Sequence, residues 1–381
     1  MSYFDNNATT PLHPAAREAL VQALEQGWAN PSSPYRTSAQ IRASMEKCRE
    51  SIASTLRIDP EHLTFTSGAT EANNSVFSSL AHTSPLGSRV LLSPYEHPSV
   101  TEAAQLWFPD RVDTLTAQQN GEIAMEELCD FLQKEQRPVL VAVMAASNES
   151  GVIQPWREVA RLCQTHGVLY HCDSTQLPGK GSLHDLSLCS FFVTSAHKFG
   201  GPKGIGWLVG EGASSLLVGG EQEKGRRGGT ENYPAIISAC TAWESLSDFT
   251  LDSEHLSSMR NKFEKQMISE FPSIQVIGQE ALRLWNTSLF LLPNFENLRW
   301  VGKLDKLGFQ ISTGSACSTT KKGGSPIAQA MKLSPADSQH LLRVSSFHSH
   351  TAADWDDLFS AFRQAHLALT EESADSSVIS F

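Results

Sequence analysis

A lysine in a crowded turn is the strongest chemical signal in the sequence. Lys198 follows His197 and precedes the glycine-rich segment 199–204. In such a turn the amine can lose its proton and become ready for Schiff-base chemistry with a carbonyl group. A surface lysine in a flexible loop is the competing interpretation, and for a single lysine it is the commoner one.

Other polar residues follow short apolar runs that are typical of buried parallel strands. The runs lie near residues 63–66, 90–92, 139–144, 168–172 and 191–194, and helix-like stretches alternate with them. This alternation predicts a mostly parallel sheet covered by helices. Ligands of such sheets bind beyond the carboxyl ends of the strands. We therefore expect the residues after the runs to meet in one site.

Three of these strand ends have a specific chemical use. The turn 67–70 offers backbone N–H groups to a phosphate at a helix N-terminus. His97 can stack on a flat ring. Asp173 is costly to bury without a partner, and a protonated pyridine nitrogen is a suitable one. Each also has an ordinary explanation, namely a helix cap, a loop histidine and an arginine partner.

The combination is more informative than its parts. A lysine, an aspartate, a phosphate turn and a ring-stacking histidine at successive strand ends are what a pyridoxal 5'-phosphate (PLP) site requires. The lysine binds the cofactor covalently, and the aspartate keeps the pyridine nitrogen protonated. The sequence therefore predicts a PLP enzyme.

The motifs resemble those of the class V aminotransferase superfamily and, within it, the cysteine desulfurases of the NifS/IscS type. The similar stretches span almost the whole chain and comprise residues 3–11, 30–33, 65–74, 96–97, 148–155, 195–204, 219–232 and 312–318. The chain departs from the family pattern at Pro34, Ser147, Ser174 and 346–350. None of these changes removes a catalytic group.

The resemblance implies an α/β protein of PLP-dependent transferase fold type I. Residues 12–250 would form the large PLP-binding domain with a mostly parallel sheet. Residues 1–11 and 251–381 would form a smaller α+β domain that carries the Cys317 loop. The final residues, 371–381, are small and polar, and we expect them to be a mobile tail.

The resemblance also implies roles for individual residues. Lys198 would hold PLP, and His97 would stack on its ring and exchange a proton. Asp173 would pair with the pyridine nitrogen and Gln176 with the phenolic oxygen. The implied phosphate ligands are Ala69, Thr70, Ser195 and His197, and Thr230 would reach the phosphate of the partner subunit. Asn148 and Arg343 would bind the substrate carboxylate, and Asn148 would also touch the cofactor.

Cys317 lies in a different setting from the other six cysteines, which occupy helix-like or strand-like stretches. Its surroundings, 313–325, contain almost nothing to bury, so we expect a mobile loop that can carry a thiol in and out of a site. Lys321 and Lys322 favour the reactive thiolate. By resemblance, Cys317 would accept the sulfur.

The implied reaction converts L-cysteine to L-alanine and leaves a persulfide on Cys317. A homodimer would then deliver the sulfur to an acceptor protein, either a scaffold for iron–sulfur cluster assembly or a relay for tRNA thiolation. Three alternatives remain open: a selenocysteine lyase, another class V aminotransferase or lyase, and a non-catalytic protein of the same fold. The last would be expected to lack Lys198 or Asp173.

Composition excludes several other classes. The net charge is -11 and the pI about 5.6, which argues against nucleic acid or an anionic membrane as a partner. No apolar run reaches the ~18 residues that span a bilayer. The seven cysteines include no C-x-x-C pair, which favours reduced thiols in the cytoplasm over disulfides or zinc. His348 and His350 lack further ligands, so we predict no metal site.

Overall fold

A seven-stranded sheet forms the centre of the computed structural model, which describes residues 1–213, 216–246, 252–314 and 325–378. In spatial order its strands are β2 (Leu63–Thr66), β8 (Gly206–Gly210), β7 (Phe191–Ser195), β6 (Leu169–Asp173), β5 (Leu140–Ala142), β3 (Val90–Leu92) and β4 (Val112–Thr114). Strand β8 is antiparallel to both neighbours, and the other pairs are parallel. The predicted α/β class with a mostly parallel sheet is confirmed.

The central strands are apolar on both faces because helices cover both sides of the sheet. Every residue of β7 is buried. The parallel register pairs Asp173 of β6 with Val193 of β7, so the two strands end close together at one edge. Asp173 and Ser195, the last residues of these strands, are thereby brought to the same side of the molecule.

The helices of this part lie around the sheet. They are α1 (Pro14–Gln26), α2 (Arg36–Leu56), α3 (Ala69–Thr83), α4 (Pro98–Trp107), α5 (Met125–Gln133), α6 (Trp156–His166) and α7 (Tyr233–Glu244). Helix α6 ends at His166 because Gly167 adopts a left-handed conformation at φ 67°. The buried surface of α2 packs on α7 and carries Ile41, Met45 and Ile52.

A second apolar cluster surrounds two smaller sheets. One is antiparallel, with β12 (Leu341–Ser345), β10 (Thr287–Leu291) and β9 (Gln275–Val276), and the other pairs β1 (Ser2–Tyr3) with β11 (Phe309–Gln310). The accompanying helices are α8 (Ser253–Glu270), α9 (Asn297–Lys306), α10 (Pro326–Ala330), α11 (Pro335–Ser338) and α12 (Ala352–Val378). Phe4 is fully buried in this cluster, so the N-terminal segment belongs to it. The domain boundaries near residues 11 and 250 stay a prediction.

The prediction of a mobile tail from residue 371 is wrong for most of that segment. Helix α12 continues to Val378. Its earlier turns are anchored by buried Leu358, Phe362 and Leu369. Glu372 then pairs with Arg299 at 3.5 Å, which ties the next turn to α9. No helix in the described part of the chain is long and apolar enough to cross a membrane.

Candidate active site

A cavity of about 490 Å³ opens beyond the carboxyl ends of β2, β6 and β7. Its walls also include Asn7 and Ala8 of the N-terminal segment. Ten residues that were predicted from the sequence line it: Ala69, Thr70, His97, Asn148, Asp173, Gln176, Ser195, His197, Lys198 and Arg343. The structure therefore brings these residues together, whereas their individual roles stay predictions.

Two predicted site residues are not placed in the cavity. Thr230 is exposed on the same chain, and its reach into a partner subunit stays a prediction. Cys317 falls in 315–324, outside the described residues. The predicted role of Cys317 as the sulfur acceptor therefore rests on the sequence alone.

The start of α3 forms an anion-binding turn. Gly68 occupies the N-cap position at φ 147°, where no side chain caps the helix, so the first backbone N–H groups remain available to a ligand. A Cβ on Gly68 would lie 3.1 Å from Ser195 Oγ. Glycine is therefore needed for the close approach of this turn to the end of β7.

The amine of Lys198 is held at the cavity wall by the N-terminal segment. Lys198 Nζ donates to the carbonyl oxygens of Asn7 at 2.6 Å and Ala8 at 2.8 Å. Burial lowers the pKa of His197 to about 4, and the positive charge of nearby Lys198 adds to this shift. The His197 imidazole is therefore neutral at physiological pH and can still donate one hydrogen bond.

Asp173 ends β6 in a set of buried hydrogen bonds. Its Oδ1 accepts from the Thr175 N–H at 3.0 Å, and its Oδ2 accepts from Asn73 Nδ2 at 3.1 Å. Asn73 Oδ1 lies 2.8 Å from His171 Nε2. Burial lowers the pKa of His171 to about 4, so its ring is neutral. Because Asn73 Oδ1 is an acceptor, the ring carries its hydrogen on Nε2 and donates a hydrogen bond to Asn73. The sequence offered no indication of this role for Asn73 or His171.

His97 forms the N-cap of α4, directly before Pro98. Its Nδ1 accepts from the Ser99 N–H at 3.1 Å, so the neutral ring carries its proton on Nε2. Burial lowers the pKa of His97, Asp173 opposes that shift, and Lys198 adds to it. A neutral ring with one free N–H group suits both stacking and proton exchange.

The predicted carboxylate site is built around a buried arginine. Arg343, in β12, donates from Nη1 to the Asn148 carbonyl oxygen at 2.8 Å, and its Nη2 forms an ion pair with Asp5. Only 2% of the Arg343 side chain is exposed. Asp5 was not predicted as a site residue, and its pairing fixes the direction of the guanidinium group.

Two buried glutamates lie beside predicted site residues. Glu96 accepts from Ser93 Oγ at 2.7 Å and from the Met144 N–H at 2.6 Å, and burial raises its pKa to about 8. Glu149 hydrogen bonds to Ser325, the N-cap of α10, and burial raises its pKa as well. The Glu96 and Glu149 carboxyl groups therefore tie neighbouring segments together beside the predicted site residues.

Two departures from the family pattern are accommodated locally. Ser174 donates its hydroxyl to the Val193 carbonyl oxygen at 2.8 Å. Ser147 accepts the N–H groups of Glu149 and Ser150, both at 3.2 Å. Neither serine displaces a neighbouring site residue from the cavity. Within the described residues, no group of three or more histidine, cysteine, aspartate or glutamate side chains is arranged to hold a metal ion.

Comparison with known proteins decides the family. The aminotransferase class-V profile matches residues 2–358. The chain belongs to the aminotransferase class-V family. This family consists of PLP-dependent enzymes, and the resemblance to its NifS/IscS-type members is confirmed by the relatives below.

The class V relatives cover nearly the full chain. The sequence is 32% identical to a NifS/IcsS protein homolog of Lactobacillus delbrueckii subsp. bulgaricus, across 96% of this chain and 97% of the relative. It is 31% identical to a cysteine desulfurase of Nostoc sp., across 87% of this chain and 84% of the relative. The chain is thus similar both to a NifS-type homolog and to a protein named cysteine desulfurase.

Solved structures show the same fold. A NifS-like protein superposes with a TM-score of 0.87 at 28% identity, covering 95% of this chain and 98% of that protein. The structure of SspA in complex with cysteine superposes with a TM-score of 0.78 at 27% identity, covering 92% of this chain and all of that protein (100%). The fold type I assignment follows from these matches.

PLP fits the residues that the cavity presents. The turn at Gly68 suits a phosphate, and Lys198 lines the same cavity, where its amine would bind the cofactor covalently. Both described hydrogen bonds to the Asp173 carboxylate come from neutral donors, so its charge is left for a cationic partner such as a pyridine nitrogen. The donor set therefore agrees with the cofactor of the family.

Proposed function

We propose that this class V chain is a cysteine desulfurase, which removes sulfur from L-cysteine. The observation that carries the proposal is the meeting of Lys198, Asp173 and the Gly68 turn with Arg343 in one cavity. The first three match a PLP site, and the arginine supplies a site for an amino-acid carboxylate. Similar proteins that are named cysteine desulfurases add support.

Different residues of the cavity would contact different parts of the cofactor. When bound, PLP supplies an electron sink for an amino acid that is attached to it. Lys198 would hold the cofactor and, when released, would move the proton of the substrate α-carbon. Asp173 would hold the proton on the pyridine nitrogen, and His97 would cover the ring. The phosphate would be bound by Ala69, Thr70, Ser195 and His197, with Gln176 directed to the phenolic oxygen.

The substrate would be oriented by its carboxylate. Arg343 is buried, and its described bonds use one N–H group on each terminal nitrogen, so the second N–H group of each would be offered to a carboxylate. Asn148 lies beside it and contributes its side chain to the cavity wall.

Sulfur transfer would require Cys317 as the acceptor. Its thiolate would form an S–S bond with the substrate sulfur as the C–S bond of L-cysteine breaks. The carbon that loses sulfur would gain a proton, so L-cysteine and one thiol become L-alanine and one persulfide without an external oxidant. The support for this step comes from the sequence motif 312–318 and from the relatives.

The cellular setting is proposed on the same basis. A homodimer would allow Thr230, exposed on one subunit, to reach the phosphate of the other. A partner protein would collect the persulfide sulfur for iron–sulfur cluster assembly or tRNA thiolation. A cytoplasmic location is proposed on the cysteine pattern, in which seven cysteines include no C-x-x-C pair.

The test combines a spectrum with a product assay. Purified protein loaded with PLP should absorb at about 420 nm, as a lysine-bound cofactor does. Addition of L-cysteine should change this absorbance band and yield L-alanine. Lys198→Ala should abolish the band and the product, whereas Cys317→Ser should abolish only the cysteine-dependent alanine. A normal band without alanine from L-cysteine contradicts the desulfurase proposal and favours another class V reaction.

A further inference from the structure

A second lysine amine lies buried beside the cavity. Lys180 is 8% exposed and lies in the turn after β6. Its Nζ donates to Gln176 Oε1 at 2.7 Å and to Asn7 Oδ1 at 3.3 Å. Both partners line the cavity, and both are neutral amides rather than carboxylates. A buried amine without a carboxylate partner is costly, so its retention calls for a specific function.

The surrounding charges make this position more costly. Burial is the main cause that lowers the pKa of Lys180 well below its ordinary value, and the cations Lys198 and Arg343 lower it further. Arg343 is itself paired with Asp5. Lys198 in turn faces His97 and His197, whose pKa values its charge lowers.

The hydrogen bonds of Lys180 decide how the Gln176 amide is oriented. Gln176 Nε2 donates to the Asn7 carbonyl oxygen at 3.1 Å, while Gln176 Oε1 accepts from Lys180. The Asn7 carbonyl oxygen can only accept, and the Lys180 amine donates to Oε1, so the reversed amide would place its oxygen against the carbonyl oxygen and its N–H groups against the amine. The fixed amide has a second N–H group that is left for the cavity.

We infer that Lys180 is a positioning residue, which holds the Gln176 amide so that an N–H group faces the phenolic oxygen of PLP. This inference rests on the proposed PLP site. The same amine acts through Asn7, whose backbone carbonyl accepts from both Gln176 and Lys198. Without Lys180 only the bond to the Asn7 carbonyl oxygen holds the Gln176 amide, so the rotated amide becomes more populated, and its oxygen would repel the phenolic oxygen.

The variant Lys180→Met tests the inference, because methionine fills a similar volume without a donor or a charge. We expect the Kd for PLP, measured by titrating the full-length apo-protein, to rise roughly tenfold, which is about 1.4 kcal/mol. Loss of the oriented N–H donor leaves more negative charge on the phenolic oxygen, which favours protonation of the Lys198 nitrogen. The pH midpoint of the band of the bound cofactor should therefore rise by about one unit.

Two further variants isolate the pathway of the effect. Lys262→Met removes an exposed lysine that pairs with Asp356, so it should leave the Kd and the pH midpoint unchanged. In a Gln176→Leu background, Lys180→Met should lose most of its effect on the Kd, because its target is gone. If Lys180→Met does not give folded protein, Lys180→Gln takes its place in the same comparison.

The outcomes separate this inference from the proposed function. A folded Lys180 variant with the wild-type Kd and pH midpoint overturns the inference, as does full additivity with Gln176→Leu. A wild-type protein that binds PLP but forms no alanine from L-cysteine contradicts the proposed function only. A wild-type protein that binds no PLP contradicts both.

Discussion

The ion pair between Arg49 and Glu223 stabilises the segment that precedes Thr230, and its contribution to stability can be tested directly. Both side chains are 2% exposed, and they form two parallel bonds of 2.9 and 2.8 Å. Glu223 also accepts the Phe65 N–H at 2.8 Å, which connects the segment before Thr230 to β2. We predict that Glu223→Gln strongly destabilises the fold, because it leaves the Arg49 charge buried without its main partner.

The size of the effect follows from these contacts. Removal of one partner of a buried ion pair costs about 3–5 kcal/mol. Glu46 still reaches Arg49 Nε at 3.1 Å but is 46% exposed, so it compensates only in part. The lower end, about 3 kcal/mol, is therefore expected for the loss in free energy of unfolding. Replacing both partners by apolar residues, as in Arg49→Met with Glu223→Leu, should recover only part of this loss, because the buried Phe65 N–H then has no acceptor.

Urea unfolding of the apo-protein, followed by tryptophan fluorescence, measures the change. Glu61→Gln is the matched control, because Glu61 pairs with the adjacent Lys224 on the surface. That exposed pair should contribute little, so the unfolding midpoint should barely move. The reasoning is refuted if Glu223→Gln shifts the midpoint no more than Glu61→Gln does.

Three further predictions concern the site itself. Asn73→Leu leaves the Asp173 carboxylate without its amide donor and should lower stability by about 1–3 kcal/mol in thermal unfolding, and an unchanged midpoint would contradict the hydrogen-bond assignment. Gly68→Ala places a Cβ 3.1 Å from Ser195 Oγ at a φ of +147°, so PLP titration should show weaker binding, with an unaltered Kd as the contrary result. The folded pKa of Glu96, about 8, lies above the ordinary 4.5, so the folded state binds the extra proton and unfolding free energy falls as pH rises from about 4.5 to 8. Glu96→Gln should flatten this decline, and a pH profile identical to wild type would show that Glu96 does not titrate there.

The central sheet and much of the cavity could be predicted because their signals are local. Apolar runs mark the strands, and the residues that follow them, such as Asp173 and Lys198, must meet at one edge of a parallel sheet. The predicted strand near residues 139–144 shortens to Leu140–Ala142. Strand β4 has a half-polar sequence, Val-Asp-Thr, at the sheet edge, so its apolar signal was too weak to predict it.

The residues that were missed act across long sequence separations. Asn7 donates to Thr287, 280 positions away, and accepts from Lys180, 173 positions away. Asp5 pairs with Arg343 over a separation of 338 positions. No local periodicity encodes such contacts, which appear only when the N-terminal segment crosses the cavity. The continuation of the terminal helix past residue 371 was missed for a related reason, since Glu372 pairs with Arg299 of another helix.

The most direct test of the account is whether sulfur from L-cysteine arrives on Cys317. PLP-loaded protein is incubated with L-cysteine, and the peptide that contains Cys317 is analysed by mass spectrometry without reductant. We predict a gain of one sulfur atom on this peptide together with L-alanine in solution, and neither in Lys198→Ala. Formation of L-alanine by the wild-type protein with no added sulfur on Cys317 would contradict the account.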